Sequence, residues 1–92
     1  MNKTSILIVD DEESIRVSLE SILKKNYNVK VSSGGLIALE MLQKDHYDLI
    51  ISDIMMDDMN GVELLRKSKE HCPEILFLLM TGYANLSTAI EA

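Results

Sequence analysis

The 92-residue chain carries a net charge of −6, is 47% apolar and has a mean hydropathy of +0.07. These values fit one small globular domain, residues 1–92, and exclude a disordered tail or a direct nucleic-acid binder, which would need a basic stripe to neutralise phosphates. A single cysteine, Cys72, excludes an internal disulfide, and the absence of a signal-peptide core or an apolar run near the roughly 18 residues of a membrane span sets the expectation of a cytoplasmic domain.

Residues 4–9 (TSILIV) form an uninterrupted apolar run, the pattern of a strand buried on both faces, and end at Asp10-Asp11. Glu12 and Glu13 then open a helix at its positive end, and Ile15, Leu19, Ile22 and Leu23 are predicted to form one core-facing stripe, closed by Lys24 and Lys25. Residues 27–31 alternate Val29 and Val31 with polar neighbours, as in a half-buried edge strand. Ser32-Ser33-Gly34-Gly35 is turn chemistry leading into a helix over about residues 35–44. Ala38, Leu39 and Leu42 are its predicted buried face, and Leu36, Ile37 and Met41 make it apolar around more of its circumference than a surface helix needs.

Residues 48–52 read as the central strand, and 53–60 (DIMMDDMN) as the loop after it. Asn60 is placed to cap a third helix running to about residue 70, with Val62, Leu64 and Leu65 inside. Cys72-Pro73 stops that helix and introduces 75–80 (ILFLLM), the most apolar strand, which ends at Thr81-Gly82. A fourth helix is predicted from residue 85 to the end of the sequence. The alternation of strands and helices implies right-handed crossovers and a parallel sheet covered on both faces.

In such a sheet Asp10, Asp11 and Asp53 converge on the rim at the carboxyl ends of the strands, where open α/β sheets bind ligands. Three close carboxylates repel, and a hard divalent cation relieves the repulsion; Mg²⁺ suits carboxylates, a backbone carbonyl and retained waters. The Thr81 hydroxyl and the Gly82 backbone N–H on the same rim would suit a phosphoryl group held on Asp53.

Asp10-Asp11, the D-I-M-M-x-x-M-x-G loop beginning at Asp53 and the L-M-T-G-Y-A segment at 79–84 together resemble the response-regulator receiver domain of two-component signalling. The TGYA wording followed by TAIEA is most similar to receivers of NtrC-type, σ54-dependent regulators. The resemblance implies a flavodoxin-like parallel sheet and Asp53 as the phosphoacceptor, charged by a sensor histidine kinase. It implies Mg²⁺ held by Asp11, by Asp10 through a water, by Asp53 and by the Met55 carbonyl. Thr81 would be the switch hydroxyl, and the N–H groups of Ile54, Met55 and Gly82 would contact the phosphoryl oxygens. It further implies a signalling domain that promotes its own phosphorylation and dephosphorylation and switches a transcriptional output, rather than a turnover enzyme.

Two departures from the resemblance stand out. Asp57, followed by Asp58, occupies a position where the family usually has proline. The sequence also ends at Ala92, before the family's fifth strand, its lysine and its fifth helix, so the chain reads as a truncated receiver with strand order 2-1-3-4. From this follows an expectation of self-association through an exposed fourth strand and an uncovered sheet face. Two other functions compete: a receiver-like interaction module that is never phosphorylated, and a Mg²⁺-dependent phosphohydrolase of the haloacid-dehalogenase kind. The latter needs D-x-D after the first strand, and here the acids are adjacent. Asp57 and Asp58 read as solvated loop charges, His46 and His71 as surface residues, Cys72 as a semi-buried small hydrophobe, and Met55, Met56 and Met59 as loop packing. Tyr83 fits either core packing or an exposed contact.

Overall fold

The computed structural model describes residues 3–80. Thr81, Gly82, Tyr83 and the predicted fourth helix therefore lie outside the described residues. In chain order the elements are β1 (Ser5–Val9), α1 (Glu13–Leu23), β2 (Asn28–Ser32), α2 (Gly35–Lys44), β3 (Leu49–Asp53), α3 (Gly61–His71) and β4 (Leu76–Met80). The strands form one parallel sheet in the order β2-β1-β3-β4, which matches the expected arrangement. Among the described residues no helix is long and apolar enough to cross a membrane.

Side-chain alternation along the central strands builds two cores. Leu7, Val9 and Ile50 point to one face and pack with Ala38 and Leu42 of α2, Leu64 of α3, and Tyr47, Met59 and Ile75. Ile6, Ile8 and Ile51 point to the other, against Leu19 and Leu23 of α1. The uninterrupted apolar run of β1 is thus buried on both sides, with Ile6 through Val9 no more than 2% exposed. Edge strand β2 alternates as predicted, with Val29 and Val31 half-buried and Asn28 and Lys30 exposed, until buried Ser32 ends it.

The α1 stripe differs from expectation. Leu19 and Leu23 reach the core, whereas Ile15 and Ile22 are 37% and 64% exposed. At about 100° per residue, Ile15 and Ile22 stand roughly 60° and 80° from the direction midway between the two leucines. The helix turns instead toward half-buried Arg16, whose Nη1 donates to the Asp10 carbonyl at 2.7 Å. In α3, Leu64 is fully buried, but Val62 is 44% exposed because it lies about 160° around the helix from Leu64. Asn60 caps α3 as predicted, its side-chain oxygen accepting from the Glu63 N–H at 2.8 Å. The apolar excess of α2 remains at the surface, with Leu36 and Ile37 58% and 48% exposed. β4 is half covered: Phe77 packs on the α2–α3 side, while Leu76 and Leu78 are 64% and 54% exposed.

Candidate functional site

Two neighbouring strand ends build the site. In the β1–β3 register Val9 pairs with Ser52, which brings Asp10 alongside Asp53 as each chain reaches the rim. The ladder bonds continue past the apolar residues: the Asp10 N–H donates to the Ser32 carbonyl at 3.1 Å, and the Ile54 N–H to the Met80 carbonyl at 2.9 Å. Asp53 is the last residue of β3, one position inside the strand rather than the first of the loop, and is held opposite Met80. Carboxylate oxygens of Asp10, Asp11 and Asp53 all lie within 4.8 Å of one another. The three acids singled out in the sequence therefore converge.

Their surroundings differ. Asp10 is 3% exposed, Asp53 half-buried and Asp11 exposed. Burial pushes the Asp10 carboxyl above the ordinary aspartate range, the Glu12 N–H bonded to its Oδ1 at 2.9 Å pulls the other way, and the charges of Asp53 and Asp11 add to the rise. A cluster of hard oxygens whose buried member resists ionisation is chemically suited to a small divalent cation, and poorly suited to a soft one. The Ser52 hydroxyl donates to the Asp53 carbonyl at 2.9 Å, and the Met55 N–H to Asp53 Oδ1 at 3.3 Å.

One implied contact is corrected. The Ile54 N–H is committed to the Met80 carbonyl and is not free to meet an incoming anion. Met55 keeps an N–H beside Asp53, with its side chain 65% exposed, while Met59 packs into the core.

Three features of the site were not read from the sequence. Gly61 closes the base of the loop, its N–H donating to the Ile54 carbonyl at 2.8 Å; a Cβ there would collide with the Asp53 carbonyl oxygen and stand 2.8 Å from Leu79 Cδ2 and 3.0 Å from Ile54 Cα. Arg16, on α1, bonds the Asp10 backbone rather than a carboxylate. Asp58, expected to be a solvated loop charge, accepts from the N–H groups of Gly35 and Leu36 at 3.1 Å each and so caps α2 from a distance in sequence. The signal for that cap is the lack of a local one: Gly34, at the N-cap of α2, has no side chain to offer.

Residues 6–92 match the family model described as the response regulator receiver domain. The chain is 38% identical over 91 residues to the transcriptional regulatory protein ZraR of Klebsiella oxytoca, covering 98% of this chain and 20% of that protein. It is 34% identical over 88 residues to the regulatory protein AtoC of Escherichia coli, covering 95% and 19% respectively. The chain thus spans about a fifth of the length of these curated relatives, both regulators of the NtrC type. Among solved structures, the response regulator TrrA of Thermotoga maritima, in complex with Mg²⁺-BeF, superposes with a TM-score of 0.85 at 30% identity, over 92% of this chain and 75% of that one. The chemotaxis protein CheY4 of Vibrio cholerae gives a TM-score of 0.90 at 29% identity, over 97% and 77%.

Proposed function

Because the chain belongs to the response regulator receiver family, we propose that Asp53 accepts a phosphoryl group from the phosphohistidine of a sensor kinase and that the change is passed to a transcriptional output. The observation that supports this most directly is the convergence of Asp10, Asp11 and Asp53 within 4.8 Å at the ends of two adjacent strands. A carboxylate oxygen of Asp53 attacks phosphorus, the P–N bond to the kinase histidine breaks, and the imidazole leaves neutral as its nitrogen takes a proton from solvent. Asp11, Asp10, Asp53 and the Met55 carbonyl would hold Mg²⁺, which when bound offsets the negative charge gathered there.

The protein's own groups account for the rest. Half-buried Asp53 is reachable from solvent while the strand ladder fixes its backbone, so the nucleophile is presented without loss of main-chain freedom during attack. The Met55 N–H, already beside Asp53 Oδ1, is the donor available to the developing charge. The Thr81 hydroxyl and Gly82 N–H take their roles from the family pattern.

Intact mass after incubation with Mg²⁺ and acetyl phosphate tests the assignment. A gain of one phosphoryl group that is absent in Asp53→Ala is expected. No gain at saturating Mg²⁺, or a gain that persists in the variant, would overturn it.

A second reading, pairing of two copies through β4, is favoured by the exposure of Leu76 and Leu78 on one face of a strand that, among the described residues, hydrogen-bonds only to β3. Light scattering at micromolar concentration should then report a species larger than the monomer, and a sharp monomer peak would sink it.

A further inference from the structure

Helix α2 begins without a cap of its own. Gly34 precedes it in an extended conformation with no side-chain cap; Ser32 Oγ, the local hydroxyl, accepts from the Gly34 N–H at 3.3 Å, one residue short of the helix. Asp58, on the loop after β3, supplies what is missing: Oδ1 accepts from the Gly35 N–H and Oδ2 from the Leu36 N–H, each at 3.1 Å. The placement puts a negative charge at the positive end of α2. The carboxyl is correspondingly held below the ordinary aspartate range, the Leu36 N–H contributing most.

The fit around this cap is close. A Cβ on Gly34 would stand 2.7 Å from Asp58 Oδ2, and one on Gly35 would stand 2.9 Å from Met59 Sδ. Met59 is itself 7% exposed and packs with Ala38 and Leu42 of α2 in the core. The tip of the loop is thus seated flush on the start of α2.

The same loop is fastened at its base by the Gly61 N–H to the Ile54 carbonyl and by the Asn60 cap of α3. Between base and tip lies Met55, whose N–H meets Asp53 Oδ1. Residues 53–60 contain no proline, so no ring stiffens the path. Met55 is exposed and has few packing contacts to fix it, so its position depends on the two ends of the loop.

We propose that Asp58 is a positioning residue for phosphoryl acceptance: by clamping the loop tip to α2, its carboxylate sets where the Met55 backbone stands relative to Asp53. The proposal rests on the reading of Asp53 as phosphoacceptor, and it makes α2 part of the same mechanical unit as the acidic site.

The test compares Asp58→Ala, Asp58→Asn and Glu40→Gly, the last destabilising α2 at an exposed position away from the loop. Amide exchange is followed by NMR on the metal-free chain, and phosphoryl gain from acetyl phosphate at fixed Mg²⁺ is followed by intact mass. A lost cap corresponds to about a fivefold change in the local opening equilibrium. Asp58→Ala should therefore speed exchange at both Leu36 and Met55 about fivefold and slow phosphoryl gain by a similar factor. Asp58→Asn, which keeps an acceptor oxygen, should recover most of both effects. Faster exchange at Leu36 with Met55 unmoved would reduce Asp58 to a helix cap and overturn the proposal. So would an equal response of Met55 to Glu40→Gly. If the unaltered chain takes no phosphoryl group while Met55 still responds to Asp58→Ala, the clamp stands and the phosphoacceptor reading falls.

Discussion

Asp10→Asn should make the metal-free protein more stable, because the site concentrates charge that folding would otherwise avoid. Asp10 is 3% exposed, and its carboxylate oxygens lie within 4.8 Å of those of Asp11 and Asp53. Two unit charges at that separation repel by about 3 kcal/mol at an effective dielectric constant near 20. Solvent and salt at exposed Asp11 and half-buried Asp53 remove much of this, leaving a net gain of about 1–2 kcal/mol. Asparagine retains the Oδ1 acceptor for the Glu12 N–H, so the turn into α1 survives. In a domain of this size the gain is a rise of roughly 5–15 °C in Tm.

The pH dependence follows from the raised carboxyl of Asp10. The folded state keeps a proton there at pH values where the unfolded chain has released it. That stabilisation is complete below the ordinary aspartate range and is lost as pH rises through the folded-state value. The advantage of Asp10→Asn is therefore largest near neutral pH and shrinks in acid. On the proposed reading Mg²⁺ should reverse the ranking, since a ligand at about 100 times its Kd adds about 2.7 kcal/mol to the protein that binds it, and the variant has lost one of the charges that would hold the ion. Thermal unfolding by circular dichroism, with EDTA and with excess Mg²⁺ at neutral and acidic pH, measures all of this. A variant no more stable than wild type in EDTA at neutral pH, or an advantage that persists unchanged in acid, would refute the reasoning.

Gly61→Ala forces backbone at Asp53 and Ile54 to shift, an overpacking cost of about 1–3 kcal/mol that alanine's better helix propensity offsets by up to about 1 kcal/mol. Urea unfolding should show a lower midpoint, and an unchanged midpoint would show that the loop base yields freely. Asp48 accepts from the Ser5 N–H at 2.8 Å and meets His46 Nε2 at 3.0 Å; the Ser5 bond foremost holds its carboxyl below the ordinary range. Its contribution is present above that range and lost as pH falls through the folded-state value. Asp48→Asn should therefore flatten the acid limb of a stability-against-pH curve, and parallel limbs would exclude the effect.

The parts of the fold legible in the sequence are those written in local pattern. The run ILIV of β1, the acids that end β1 and β3, and Asn60 before α3 each announce themselves within a few residues. What escaped notice depends on partners far along the chain. Periodicity placed Ile15 and Ile22 in the core, but the rotation of α1 follows Arg16, which reaches back to the Asp10 carbonyl. Asp58 looked like a solvated charge because the helix it caps starts 23 residues earlier. Ile54 lost its assigned contact because a ladder bond to β4 claims its N–H, and hydrogen-bond partners across a sheet have no local signature. Val62 sits next to core positions in sequence and on the opposite side of the helix in space.

The strand order has a consequence for how the chain comes into being. β1 is made first yet ends between β2 and β3, with β3 joining its second edge only when residues 49–53 have been synthesised. At roughly 5–20 residues per second, the apolar run Ile6–Val9 waits about 2–9 seconds before its second row of backbone groups can pair. During that interval the nascent chain carries an apolar strand with an open edge, so topology sets how long that edge waits during translation, before the acidic site exists at all.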